Sequence, residues 1–174
     1  MKRAENVKKR TLFLTGSAAI AAIYVILTLL SGLLGLDGKN VIQVRISEAL
    51  CVLPYYTAFA VPGVTVGCLI YNLLFASPID AVFGTLATLI GALCTRYIPL
   101  FRKNIFLASI PTVVSNSVII PFVIAYAYMD GAFSSIPFYM LTVAIGEIIS
   151  CTVLGTCLLL ALKKHRNVFF GGDK

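Results

Sequence analysis

The sequence predicts an all-α membrane protein, a six-helix transmembrane bundle with both termini on the cytoplasmic side. Three observations carry that prediction. The chain is 59% apolar and only 12% charged over 174 residues, with a mean hydropathy of +0.96, whereas a soluble domain is roughly 45–50% apolar and about 25% charged. Its apolar residues fall in runs long enough to cross a bilayer, which takes about 20 residues of helix. Twelve of the fourteen lysines and arginines lie in three clusters at the ends of those runs, Lys2–Arg10, Arg96–Lys103 and Lys163–Lys174. Lys and Arg in short loops stay on the cytoplasmic side, so three clusters separated by apolar runs require an even number of crossings. The net charge of +7 is thereby assigned to topology and anionic headgroups. No basic stripe interleaved with aromatics calls for a nucleic-acid partner.

Taken in order, residues 1–10 form a basic cytoplasmic segment, residues 11–162 a single transmembrane domain, and residues 163–174 a basic cytoplasmic tail. The first span is Thr11–Leu34. About six residues separate its basic flank from the small residues Ser17–Ala22, too few for the apolar core of a cleaved signal peptide, so a retained span is expected. Leu36–Val44 is a polar loop. The nearly uncharged stretch Arg45–Ala76 is interrupted at Pro54 and at Pro62–Gly63. It reads as two short spans joined near Pro62, because proline removes a backbone donor and favours a turn. Ser77–Pro78 opens the fourth span, Ile79–Tyr97. Asn104–Tyr128 is the fifth, Met129–Pro137 an outer loop, and Phe138–Leu162 the sixth. Lys39, Asp80 and Asp130 then lie outside.

An ionisable side chain at the centre of a membrane helix costs about 2.5–3.5 kcal/mol on the insertion scale, so such a residue has a task or a partner. Glu147 meets that description, about ten residues into the sixth span, with Ser150 and Cys151 on the same helix face. It either accepts hydrogen bonds from a polar ligand or makes an interhelical contact. Glu48 follows Arg45 by three residues, a spacing that allows either a local ion pair or a pair facing a ligand. Asn72 and Asn116 suit the edge of a heterocycle, since an amide both donates and accepts, or serve as glue between helices. Asp80 stands where a carboxylate favours a helix N-terminus, or it captures a cationic group. Tyr55, Tyr56, Tyr71, Tyr126, Tyr128 and Tyr139 are candidates to stack on a flat ligand. Tyr97, Tyr126 and Tyr128 are better placed as interfacial anchors.

Two faces of small residues allow close helix approach within or between subunits. They are Ala18 and Ala22 on the first span, and Gly84, Thr88, Gly91 and Thr95 on the fourth. The five cysteines have no C-x-x-C spacing and read as free buried thiols, without disulfide or metal. His165 sits alone in the basic tail. No phosphate-binding loop, metal cluster or catalytic triad stands in the sequence, so a binding bundle, not an enzyme, is expected, and no cofactor.

The chain resembles the QueT family, substrate-capture components of energy-coupling-factor transporters. The resemblance rests on Val44-Arg45-Ile46-Ser47-Glu48-Ala49-Leu50 with Val52-Leu53-Pro54-Tyr55, then Pro62-Gly63, Gly67-Cys68 and Asn72. It continues through Asp80, Phe83-Gly84-Thr85-Leu86-Ala87-Thr88, Asn116, Ile120-Pro121-Phe122 and Gly146-Glu147. It implies capture of a queuosine precursor, a 7-deazaguanine, from outside a prokaryotic cell. It also implies assembly with a transmembrane coupling subunit, docked at Ala18 and Ala22, and with two cytoplasmic ATPases, the loop Leu36–Val44 acting as a lid. In that setting the expected ligand residues are Glu147, Glu48, Asn72, Asn116, Asp80, Arg45 and Tyr55. Rival readings are a capture subunit for another flat vitamin, such as riboflavin or thiamine, and a structural or assembly membrane protein.

Overall fold

The computed structural model describes residues 2–36, 42–127 and 133–165, and every element among them is helical. Lys39, Asp130, Tyr128 and most of the expected lid and tail lie outside the described residues. The principal helices are α1 (Lys2–Leu33), α2 (Ala60–Phe75), α3 (Pro78–Tyr97), the short α4 (Pro99–Arg102), α5 (Ile110–Ala127), α6 (Ile136–Glu147) and α7 (Gly155–Lys163). A π-helical stretch, Ile148–Leu154, joins α6 to α7 into one rod, residues 136–163. A 3₁₀ helix, Ile46–Tyr55, runs between α1 and α2.

Local chemistry sets several boundaries. Helix α1 stops at a Schellman turn, in which Gly35 takes a φ of +71°. The Leu36 N–H reaches back to the Ser31 carbonyl at 2.9 Å and the Gly35 N–H to Gly32 at 3.0 Å. A residue with a Cβ resists that left-handed conformation. Helix α3 opens on a reciprocal cap: the Asp80 N–H donates to Ser77 Oγ at 3.1 Å, and the Asp80 carboxylate accepts the Ser77 hydroxyl at 2.9 Å. Pro78 sits at the start of that helix, where its missing N–H has no intrahelical partner to lose.

Among the described residues, four helices are long and apolar enough to cross a membrane, and two apolar ones are shorter. Within the four, only 22–44% of the most apolar window is buried. Leu14, Ile26, Leu73, Leu74, Val82, Val114 and Leu141 all project outward. An apolar exterior of that extent suits acyl chains and not water, and the chain is a multi-pass membrane protein. Successive cross-links set the helix directions. Gly63 and Gly67 lie against Ser17–Tyr24, so α2 runs alongside α1 in the same sense. Thr88 meets Cys68 at 3.4 Å, Ser115 bonds the Ala87 carbonyl at 2.9 Å, and Thr152 bonds Ser109 at 3.0 Å. Each of those later pairs is antiparallel. The start of α1, the end of α3 and the end of α7 therefore share one end of the bundle, and the basic residues Arg10, Arg96, Arg102, Lys103 and Lys163 gather there.

The stretch Arg45–Ala76 departs from expectation. Its turn lies at residues 56–59, ahead of Pro62, which stands in the first turn of α2, where proline is tolerated. Its first half is a 3₁₀ helix of ten residues in which Ser47 through Pro54 are all buried. At about 2.0 Å per residue it is roughly 20 Å long, short of a hydrocarbon core of about 30 Å. This segment forms the centre of the bundle. Leu50, Cys51, Val52 and Leu53 join Tyr24, Phe59, Val64, Cys68, Cys151 and Leu159 in the core.

The small-residue face of α3 is used inside the bundle. A Cβ on Gly91 would lie 2.8 Å from the Thr112 Cα, and Thr95 bonds the Ala108 carbonyl at 2.9 Å. Cys51, Cys68 and Cys151 are buried free thiols as expected, but Cys94 is half-buried and Cys157 exposed, because their positions on the helices face outward.

Candidate ligand site

Glu147 ends α6, where the rod passes from α-helix to π-helix. A π turn is rare and recurs at functional sites because it re-aims the side chains beside it. Here the Asn116 amide of α5 donates to Glu147 Oε1 at 2.8 Å. The side chain as a whole is partly buried, yet Oε2 is shut off from the surface and has no hydrogen-bond partner. One carboxylate oxygen is thus held and the other is open to a donor. The 3₁₀ helix that carries Glu48 packs against the π-helical stretch that follows Glu147, so the two acids lie on adjoining elements.

The 3₁₀ helix delivers Glu48 to that region. Glu48 is 2% exposed, and its carboxylate is held at both oxygens. Oε1 accepts the Tyr24 hydroxyl of α1 in a short hydrogen bond, and Oε2 accepts the Cys51 thiol at 3.1 Å. Beside it the Thr28 hydroxyl donates to Ser47 Oγ at 2.7 Å, and the Ile46 N–H donates to Ser31 Oγ at 2.9 Å. Tyr24, Thr28 and Ser31 recur at helical spacing on one face of α1. That pattern was present in the sequence and marks the face that seats the 3₁₀ helix. The Arg45 guanidinium carbon stands 5.9 Å from the centre of the Tyr71 ring, within the range of a cation–π contact.

The remaining candidates separate. Asn72 is 1% exposed and ties α2 to α3 by donating to the Asp80 carbonyl at 3.1 Å, while its Oδ1 is buried without a partner. The Asp80 side chain takes part in the α3 cap described above. Tyr55 lies at the far end of the 3₁₀ helix, roughly 14 Å along it from Glu48. There it meets Tyr56 edge-on at 5.2 Å, and Tyr56 bonds the Leu159 carbonyl at 2.9 Å. Glu147 and Asn116 thus pair directly, Glu48 sits on the adjoining 3₁₀ helix with Arg45 just ahead of it, and Tyr55 stands at that helix's far end.

The described end of the expected lid rests on this site. The Val44 N–H bonds the Leu36 carbonyl at 3.0 Å, closing the loop's neck. The Gln43 carbonyl packs so tightly on Gly146 that a Cβ there would collide with it. Ala18 and Ala22 are both exposed, since α1 turns Ile20, Ala21 and Tyr24 inward.

The model of the QueT transporter family matches residues 14–164. The chain belongs to that family. A curated relative in Lactococcus lactis subsp. cremoris (strain MG1363), named Queuosine precursor transporter QueT, is 36% identical over 83 residues. The matched stretch spans about half of each protein, 48% of this chain and 48% of the relative. No solved structure matches the chain.

Proposed function

We propose that the chain is the substrate-capture subunit of an energy-coupling-factor importer and takes a queuosine precursor, a 7-deazaguanine, from outside a prokaryotic cell. The observation that carries this reading is Glu147, with Oε1 held by Asn116 and Oε2 buried without a protein donor. A deazaguanine presents adjacent N–H donors on its base-pairing edge, and a carboxylate accepts such donors strongly. Glu48 and Arg45 balance charge around the bound base, and Asn116 orients the carboxylate. The named relative supports the choice of cargo.

In this reading the basic end of the bundle is cytoplasmic, as the positive-inside rule requires. Six spans cross the plasma membrane, two of them, the 3₁₀ helix and α2, too short to do so without help from their neighbours. The loop above Gly146 closes over the cargo. A coupling subunit docks on the outward Ala18–Ala22 face, and two cytoplasmic ATPases act through it to release the cargo inward.

The test is thermal unfolding of the purified chain against a panel of 7-deazaguanines, riboflavin and thiamine. A ligand present at about 100 times its dissociation constant stabilises the fold by about 2.7 kcal/mol. The expected outcome is a clear upward shift with a deazaguanine alone. A shift with riboflavin or thiamine instead would reassign the cargo, and no shift with any deazaguanine would overturn the reading. Replacing Ala18 and Ala22 with leucine is expected to leave that shift intact and abolish co-purification with the coupling subunit. An unaffected complex would remove Ala18 and Ala22 from the interface.

A further inference from the structure

Helices α3 and α5 pack tightly near the basic end of the bundle and part toward the other. A Cβ on Gly91 would lie 2.8 Å from the Thr112 Cα. Two turns earlier, a Cβ on Gly84 would find no atom of α5 nearer than Ile120 Cδ1, at 3.9 Å. The gap that opens is a cavity of about 690 Å³, within the range of about 300–1,000 Å³ seen for small-molecule sites. Its walls are α3 from Ile79 to Leu86 and α5 from Val118 to Tyr126, and Phe133 contributes from the 3₁₀ turn Phe133–Ser135. Every lining side chain is aliphatic or aromatic. Phe83, Phe122 and Tyr126 are all exposed, so the groove is continuous with the lipid-facing exterior.

The walls decide what fits. Water finds no partners in an apolar cavity, and a polar heterocycle would find only the Tyr126 hydroxyl. A helix is about 10–12 Å across with its side chains. Over 10 Å of length it would fill roughly 800–1,100 Å³, more than the groove holds, whereas an acyl chain is far slimmer. The walls run for about 10 Å along α3 and about 12 Å along α5 at 1.5 Å per residue. One leaflet of hydrocarbon is about 15 Å deep, half of the full core. The groove starts just past the Ser77–Asp80 cap, at the end away from the basic residues, and follows the helices through most of that depth. We propose that it is a binding site for one acyl chain of a phospholipid in the leaflet opposite the basic end. The Tyr126 hydroxyl stands at the level of the headgroup, where tyrosines of membrane proteins collect. The bound chain packs on α5 from two residues beyond Asn116, the residue that holds Glu147. This inference concerns lipid and not cargo, so its failure would leave the proposed function standing.

The chain contains no tryptophan, so one introduced indole reports on its own surroundings alone. Phe83→Trp and Phe122→Trp place that reporter on the two walls, at sites exposed enough to take the larger ring. Leu74→Trp, at an exposed site on α2 near the same end of the bundle, reports ordinary boundary lipid. Each full-length variant in detergent micelles is titrated with a phospholipid brominated midway along its acyl chains, which quenches an indole it touches. Half-maximal quenching at both groove positions is expected at a lipid-to-detergent ratio at least threefold lower than at Leu74. Equal ratios at all three positions would overturn the proposal, because the groove would then hold lipid no better than any other surface. Preference at one wall alone would overturn it too, since a chain lying in the groove touches both. So would the absence of quenching at both walls in bilayers made wholly of the brominated lipid.

Discussion

Glu147→Gln is expected to weaken binding of a 7-deazaguanine by roughly 10- to 150-fold, with little change in the stability of the unliganded fold. Hydrogen bonds to a charged group contribute about 1.5–3 kcal/mol, and each 1.4 kcal/mol is tenfold in affinity. The direction follows from Asn116. Its amide donates to Glu147 Oε1, so a glutamine would turn its own carbonyl to that donor. The NH₂ would then occupy the place of Oε2 and face the N–H groups of the cargo, donor against donor. The variant should still fold, because the Asn116 contact survives and the amide is nearly isosteric. Isothermal titration of wild type and variant reads the loss directly. Binding retained at the wild-type level would make Glu147 a helix-to-helix contact and move the site elsewhere. Glu48→Gln provides the contrast. Glu48 already accepts Tyr24 and Cys51, so that variant should lower thermal stability more than it lowers affinity.

What the sequence made legible, and what it hid, follows from the range of the forces involved. The start of α3 could be read from Ser77-Pro78 and Asp80, because a helix cap is built from neighbours in the chain. Glu147 could be singled out because a carboxylate deep in an apolar run needs a partner, and its bond to Asn116 is the interhelical contact that the sequence offered beside a ligand role. The partition within Arg45–Ala76 was hidden. Pro54 and Pro62 look alike as breakers, yet Pro54 lies inside the 3₁₀ helix and Pro62 in the first turn of α2. No local signal separates those roles, since what holds Ser47–Pro54 in 3₁₀ form is burial among α1, α2, α3 and the rod. The difference in hydrogen bonding between the two acids was equally hidden. Glu48 is occupied because Tyr24 lies opposite it, a contact between residues 24 apart in sequence. Only the spacing of Tyr24, Thr28 and Ser31 hinted at a polar face on α1.

Gly67 carries a large expected effect on stability. Helix α2 lies so close to α1 that a Cβ on Gly67 would stand 2.7 Å from the Tyr24 Cβ, 2.9 Å from the Ala21 carbonyl oxygen and 3.1 Å from the Ala21 Cα. Two of those atoms are backbone and cannot rotate away. Gly67→Ala must therefore push the helices apart, and overpacking of this kind costs about 1–3 kcal/mol. A valine adds further volume to the same contact and should leave little folded protein. Close approach through small residues is how membrane helices gain packing energy, so the loss should not be recovered elsewhere. Gly32→Ala is the matched control on α1, where a Cβ would meet only the Tyr71 hydroxyl at 3.8 Å. Removing a glycine from the last turn of a helix there is expected to be neutral or to stabilise by up to about 1 kcal/mol. Unfolding in mixed detergent micelles should place the two alanine variants on opposite sides of wild type or nearly so. Equal stabilities would mean that α1 and α2 do not meet at Gly67. A second consequence separates a packing defect from general fragility. Tyr24 is both the residue that Gly67 faces and the donor that holds Glu48. Displacing α1 at this level should therefore weaken ligand binding in whatever Gly67→Ala protein remains folded, while Gly32→Ala binds as wild type does.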